Sequence, residues 1–258
     1  MNNVPHIVAF GGGIDSTAMV IGLIQKKRPI DLILFADTGG ERPATYDHIN
    51  NFSDWLEKQG YPRITTVRRV TELGEYESLE QECLRAKALP SIAYGYKRCS
   101  QKHKIAPQDK FCNNWQPAID AWKNGQKCVK YIGYDANEEH RAENAAKRED
   151  KKYDYLYPLI EWQWDRQKCL EVIDSVGIKN VTKSACFYCP SSKPQEIVQL
   201  YKEYPDLLQR ALKIEQNAEL TTIKGLGRNY SWADVIKMHE AQMTLPFVGF
   251  DAPCECTE

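Results

Sequence analysis

An apolar run, Val4 to Phe10, breaks at Gly11-Gly12-Gly13 and restarts at once as Ile14-Asp15-Ser16-Thr17 with a helical pattern behind it. Few sequences constrain a fold as tightly. A strand that turns through glycines into a helix leaves the helix's first N–H groups unpaired and lets the backbone come close to an anion, with the positive end of the helix dipole behind it. Such a corner suits a phosphate. Ser16 and Thr17 add hydroxyl donors, and Asp15 either holds a magnesium ion or orders the turn. No Gly-Lys-Ser/Thr follows at the Walker spacing, and the dinucleotide pattern Gly-x-Gly-x-x-Gly is absent.

The next segments repeat the rhythm. The helix from Met19 ends near Lys26-Lys27-Arg28, before Pro29; Ile30 to Ala36 is a near-continuous apolar strand, as a parallel strand buried on both faces requires; Pro43 to Lys58 reads as a second helix, and Ile64 to Val67 as a third strand. β-α-β-α-β at the start of a chain predicts an α/β fold with a doubly wound, mostly parallel sheet. Asp37-Thr38-Gly39 then stands at the carboxyl end of the second strand, where such sheets place ligands. Further on, the pattern predicts helices over 73–89, 115–123, 165–176, 195–204, 207–220 and 232–243, and a fourth strand over 128–133. This divides the chain into a nucleotide-binding α/β part, residues 1–180, and a small helical, cysteine-bearing part, residues 181–258.

At 258 residues and 42% hydrophobic composition, one sizeable domain with an appendage is affordable to the chain. No run of about 18 apolar residues and no leader pattern appear, which leads to the expectation of a soluble cytoplasmic protein without a membrane partner. Nine cysteines and a net charge of −1 favour metal ligation or free thiols over a disulfide framework and give no global pull toward nucleic acid. Local basic patches are Arg63/Arg68/Arg69, Lys97 to Lys104 and Lys147 to Lys152, each also explained by a solvated charged face. Cys186-Phe187-Tyr188-Cys189 is the tight cysteine pair suited to a metal, a disulfide or simple burial. Cys83, Cys128 and Cys169 fall on apolar positions and read as core, and His48 reads as partly exposed. The aromatics between Tyr153 and Trp164 suit base stacking or packing equally, and the glycine-bearing basic loop Lys224 to Tyr230 suggests a phosphate contact only weakly. The tail bearing Cys254 and Cys256 reads as mobile.

The first loop resembles the Ser-Gly-Gly-x-Asp-Ser signature of the PP-loop ATP pyrophosphatases, with Gly11 in the serine position and Gly12, Gly13, Asp15 and Ser16 matching. Four further segments, in the same order, are similar to the phosphoadenosine-phosphosulfate-reductase-like branch. They are Phe35-Ala36-Asp37-Thr38-Gly39 with Glu41; Arg98-Cys99-Ser100 with Lys104 and Pro107; Tyr131-Ile132-Gly133 with Glu138 and Arg141; and Tyr157-Pro158-Leu159 with Trp162, followed by Cys186-x-x-Cys189-Pro190. The resemblance implies a Rossmann-like fold of the adenine nucleotide alpha hydrolase type. It implies ATP and Mg2+, cleavage between the α- and β-phosphates, and an adenylated acceptor, with a nucleic acid undergoing sulfur transfer as one such acceptor. It also implies a sulfur-donor protein or thiol reductant as partner, with the oligomeric state left open.

By the same resemblance Gly11, Gly12, Gly13, Asp15, Ser16, Thr17, Asp37, Thr38, Gly39, Arg98, Gly133, Glu138 and Arg141 contact the nucleotide. Asp15, Ser16 and Cys99 serve catalysis. Cys99, Cys186 and Cys189 ligate a [4Fe-4S] cluster, with zinc completed by Cys112 or a tail cysteine as the alternative. Gly133-Tyr134-Asp135 departs from the family's Gly-x-Arg, which leaves Arg141 and Arg98 as candidates for the missing anion contact. Reductases of the branch usually have a degenerate first loop, whereas Asp15 and Ser16 are intact here. The rival readings are a phosphoadenosine phosphosulfate or adenosine phosphosulfate reductase, and a non-catalytic nucleotide- or nucleic-acid-binding module.

Overall fold

The structure is a computed structural model that describes residues 4–95, 98–146 and 149–244. In chain order it runs β1 (His6–Phe10), α1 (Ile14–Gln25), β2 (Leu32–Asp37), α2 (Pro43–Lys58), β3 (Ile64–Arg68) and α3 (Leu79–Arg85). One helix follows in three pieces, α4 (Arg98–Ser100), a π-turn (Gln101–Ile105) and α5 (Ala106–Cys112). Then come α6 (Gln116–Lys123), β4 (Cys128–Ile132), α7 (Glu139–Ala146), β5 (Tyr153–Leu156), α8 (Pro158–Glu161), α9 (Arg166–Ser175), α10 (Pro194–Glu203), α11 (Pro205–Asn217) and α12 (Trp232–Thr244).

The five strands form one parallel sheet in the order β3-β2-β1-β4-β5. Period-two alternation divides β1 to β4 between two cores. Val8, Phe10, Ile33, Phe35 and Tyr131 face α1, α2 and α9, while Ile7, Leu32, Leu34, Ala36, Val67, Cys128 and Tyr153 face Cys112, Ala118 and Ala121 of α5 and α6. Because β2 is buried along its whole length, its continuous apolar run is what a central strand covered on both faces needs. Gly22 makes room on α1 for Trp162 and Trp164, so these two aromatics are packing residues. The chain leaves β1 toward β2 and returns to β4 on β1's other side, which puts the topological switch point between the β1 and β4 loops.

A second core lies apart from the sheet. It joins Leu207, Leu208, Ala211 and Ile214 of α11 and Trp232 of α12 to Phe187 and Tyr188, and it draws in Leu79, Cys83, Leu89 and Ala93 from the first half of the chain. Among the described residues no helix is long and apolar enough to cross a membrane.

Several expectations change. The helix expected over 73–89 is only Leu79–Arg85, because Gly74 (φ +83°) and a Val70–Tyr76 bridge make a turn first, and Ser78 then caps the helix by accepting from the Gln81 N–H. On α9, Cys169, Val172 and Ile173 are buried while Leu170 is 40% exposed. His48, expected to be partly exposed, is buried between Phe10 and Phe52. The Lys224–Tyr230 loop offers no free anion site: Glu215 is buried beneath it and already accepts the N–H groups of Leu226, Trp232 and Ala233. Cys112 is buried with Cys128 on the α5/α6 face of the sheet, where it cannot complete a site with Cys186. Cys254 and Cys256 lie outside the described residues.

Candidate active site

The glycine corner forms as its chemistry requires. Gly12 adopts φ +76°, which an L side chain resists, and a β-carbon there would sit 3.2 Å from the Thr45 methyl. Gly13 precedes α1 in extended conformation, its carbonyl accepting from Ser16 Oγ (3.1 Å) and Thr17 Oγ1 (2.9 Å). Thr17 is fully buried, and since its proton goes to Gly13 it accepts from His48 Nε2–H at 2.9 Å. Burial lowers the His48 pKa to about 4, which leaves a neutral ring to support the loop from below.

Across the switch point, Gly133 lies beneath the first turn of α1, and a β-carbon there would stand 3.2 Å from Ser16 Cα and 3.3 Å from its nitrogen. Ser184 closes the other side: its hydroxyl would be 2.9 Å from a β-carbon on Gly13. Between them opens a cleft of about 400 Å³. Its lining includes Gly11, Gly13, Asp15 and Ser16 from the first loop, Gly133, Glu138 and Arg141 from the β4 loop, and the cations Lys104, Arg166 and Lys183. Four cations and two carboxylates line the cleft itself, a surface that suits a polyanion, with Glu41 and Glu196 standing behind Lys104 and Lys183.

Each cation is held in place by a carboxylate. Arg166 stands 3.1 Å from Asp15, Arg141 is 2.5 Å from Glu138 and rests on the Tyr134 ring, Lys183 reaches Glu196 at 2.9 Å, and Lys104 lies 3.7 Å from Glu41. Asp15 Oδ1 is buried and has no hydrogen-bond donor, its Arg166 contact being an ion pair without hydrogen-bond geometry. Burial pushes the Asp15 pKa up to about 6, against the pull of Arg166. An oxygen in that condition fits a magnesium ion shared with phosphates.

The other expected residues are distributed elsewhere. Asp37 is buried and fully engaged, taking Arg68 Nε at 2.9 Å, Tyr46 Oη at 2.8 Å and the Gly39 N–H at 2.7 Å. Thr38 Oγ1 is 3.0 Å from Cys186 Sγ, and the Phe187 N–H donates to the Gly40 carbonyl at 2.7 Å, so the Asp37–Glu41 turn is stitched to the Cys186–Cys189 segment. Gly39, at φ +75°, has Tyr76 and Ser78 where a side chain would go. Arg98 lines a different hollow, of about 290 Å³, together with Cys99, Lys102 and His103. Lys102 pairs with Glu82, and His103, buried beside the same carboxylate, is not part of a surface basic patch.

Against its burial, Glu41 is the main group that raises the Lys104 pKa, with smaller contributions from Cys186, Cys189 and Cys99. The three cysteines do not converge on a common point: among the described residues no three His, Cys, Asp or Glu side chains form a metal-holding group. Burial pushes the Cys186 thiol up to about 12 and that of Cys189 above the usual range. As arranged, the three do not fit a metal cluster.

Arg166, Lys183 and Ser184 were not among the expected contacts. The only sequence signal was a basic–hydroxyl pair just upstream of Cys186 and an arginine directly after the N-cap Asp165. No protein-family model matches the chain. No curated protein matches it either. Among solved structures it is similar to the U34-tRNA thiolase NcsA from Methanococcus maripaludis with its [4Fe-4S] cluster, at 16% identity over 92% of this chain and 81% of that one, with a TM-score of 0.45. At that level the likeness carries no conclusion about this chain's chemistry.

Proposed function

We propose that the cleft binds ATP by its phosphates and that the chain is a PP-loop enzyme of the phosphoadenosine-phosphosulfate-reductase-like kind, cleaving ATP between the α- and β-phosphates to adenylate an acceptor. One observation supports this reading above others: the Gly11–Gly13 loop, the start of α1, Gly133 and four cations from four separate segments line one cleft at the switch point. Nothing in sheet packing requires Lys104, Arg141, Arg166 and Lys183 to meet there.

In this reading the first-turn amides and Ser16 hold the phosphates nearest the helix, and the guanidinium groups of Arg141 and Arg166 take up the charge that grows on pyrophosphate as it leaves. Asp15 would hold a magnesium ion shared with the phosphates, whose charge eases the same departure. Arg166, drawn toward phosphate, would free Asp15 for that ion. Thr17 acts indirectly, by fixing the Gly13 carbonyl. The acceptor we favour is a nucleic acid undergoing sulfur transfer, with sulfur delivered by a donor protein or thiol. Asp15 and Ser16, intact in a first loop that reductases of the branch usually carry in degenerate form, speak against the reductase alternative.

Calorimetry with ATP and magnesium tests the site. Ser16→Ala and Arg166→Ala are each expected to weaken binding by about 1–3 kcal/mol. Parent-like binding in both variants would reduce the loop to a turn.

A further inference from the structure

A groove of about 350 Å³ opens at the sheet's outer edge, where β3 has β2 as its only partner strand among the described residues. It is lined by Arg68, Pro107, Lys110, Phe111, Asn114 and Trp115, and no carboxylate lines it. Phe111 and Trp115 are half-buried against the core of the α5/α6 face, which fixes their rings before any ligand arrives. Arg68 is held from behind by Asp37 and stacks over Tyr76 with 5.1 Å between guanidinium carbon and ring centroid. Lys110 is exposed and has no ion pair among the described residues.

We propose that this groove binds the acceptor as a single-stranded nucleic acid, a base stacking on Trp115 or Phe111 while Lys110 and Arg68 take the flanking phosphates. Rigid aromatic faces beside an unpaired lysine, with the Asp37-anchored Arg68 at the same groove, are the pairing that unpaired bases and their backbone recognise, whereas a duplex offers no free base face. Position supports the same occupant. The helix that presents Lys104 to the ATP cleft presents Lys110 to the groove six residues later, about 9 Å along its axis. Across the sheet, the ends of β3 and β1 are two strand spacings apart, again about 10 Å. A strand seated in the groove brings its next nucleotide toward the cleft. This inference rests on the adenylation reading for its purpose, but not for its test.

The test is fluorescence anisotropy on the full chain with labelled single-stranded RNA and DNA, the same sequences as duplexes, and polyglutamate as an acidic peptide. Tighter binding of a single strand is expected, with Lys110→Glu and Trp115→Ala each weakening it by about 5- to 100-fold. Lys110→Glu should also flatten the salt dependence. Trp115→Phe, which keeps a ring, should recover most of the loss and guards against a folding artefact. Equal binding of duplex or polyglutamate, unchanged binding in Lys110→Glu, or no single-strand binding overturns the proposal. ATP calorimetry on the same samples separates the two readings. Loss of single-strand binding with ATP binding intact supports the groove, and Trp115-dependent single-strand binding without any ATP binding supports it while overturning the cleft assignment.

Discussion

Gly133 lies so close beneath Ser16 that a β-carbon on it would stand 3.2 Å from the Ser16 α-carbon, backbone against backbone across the switch point of the sheet. Neither side can yield by rotating a side chain. Gly133→Ala is therefore expected to push the first turn of α1 outward, costing about 1–3 kcal/mol of stability and weakening ATP binding at least tenfold. Chemical denaturation and calorimetry read the two effects; parent-like values in both would show that the loop has slack.

Asp15 links the cleft to pH. Its folded pKa, about 6, lies above the ordinary carboxylate value of 3.8. Between those values the folded state holds a proton that the unfolded chain has lost, so stability falls as pH rises from about 4 to 6, by at most about 3 kcal/mol. Asp15→Asn is expected to abolish this slope and to be more stable than the parent at pH 7, with no such advantage near pH 4. Magnesium-dependent ATP binding by the parent should strengthen as pH rises through 6. Urea titrations at several pH values check the first point and calorimetry the second. An Asn variant no more stable than the parent at pH 7 would contradict the burial argument.

Glu41 is buried, and its charge is answered by the Lys104 ammonium, 3.7 Å away, and by the Ala185 backbone N–H. Burial raises the Glu41 pKa, and the neighbouring carboxylate and thiols raise that of Lys104. Lys104→Met strands the carboxylate and is expected to cost about 3–5 kcal/mol. Adding Glu41→Gln should restore part of the stability but none of the ATP affinity, because the cleft still lacks its cation. Recovery of both in the double variant would mean that Lys104 has no contact with phosphate.

In the second core, Glu215 accepts three backbone N–H groups at 2.7–3.2 Å. Glu215→Ala should destabilise by about 2–4 kcal/mol, and Glu215→Gln by less, since its amide oxygen keeps one acceptor site. ATP affinity should persist in the Gln variant, as the cleft lies on the sheet. A loss of ATP binding without a loss of stability would contradict this division of labour.

Much of this was legible in sequence where the physics is local. The β1–glycine–α1 corner shows because strand, turn and helix signals follow one another without a gap, and β2 because burial on both faces demands an unbroken apolar run. β5 escaped notice since three of its four residues are exposed at the sheet's edge. The Arg98–Cys112 helix hid behind a π-turn and a buried, carboxylate-paired His103, which spoil its apolar period. Arg166, Lys183 and Ser184 carried only the faint signals of a basic–hydroxyl pair and an arginine after an N-cap, neither of which points to the first loop. They reach the first loop across about 150 to 170 residues of chain, and only the fold sets that proximity.

The central claim concerns which bond of ATP breaks. ATP labelled in its α-phosphate, incubated with magnesium and a panel of single-stranded and structured nucleic acids, is predicted to yield AMP or an adenylated acceptor together with pyrophosphate, faster with the right acceptor and not at all in Asp15→Asn. Production of ADP and phosphate, or sulfite release from phosphoadenosine phosphosulfate with a thiol while ATP stays intact, would contradict it.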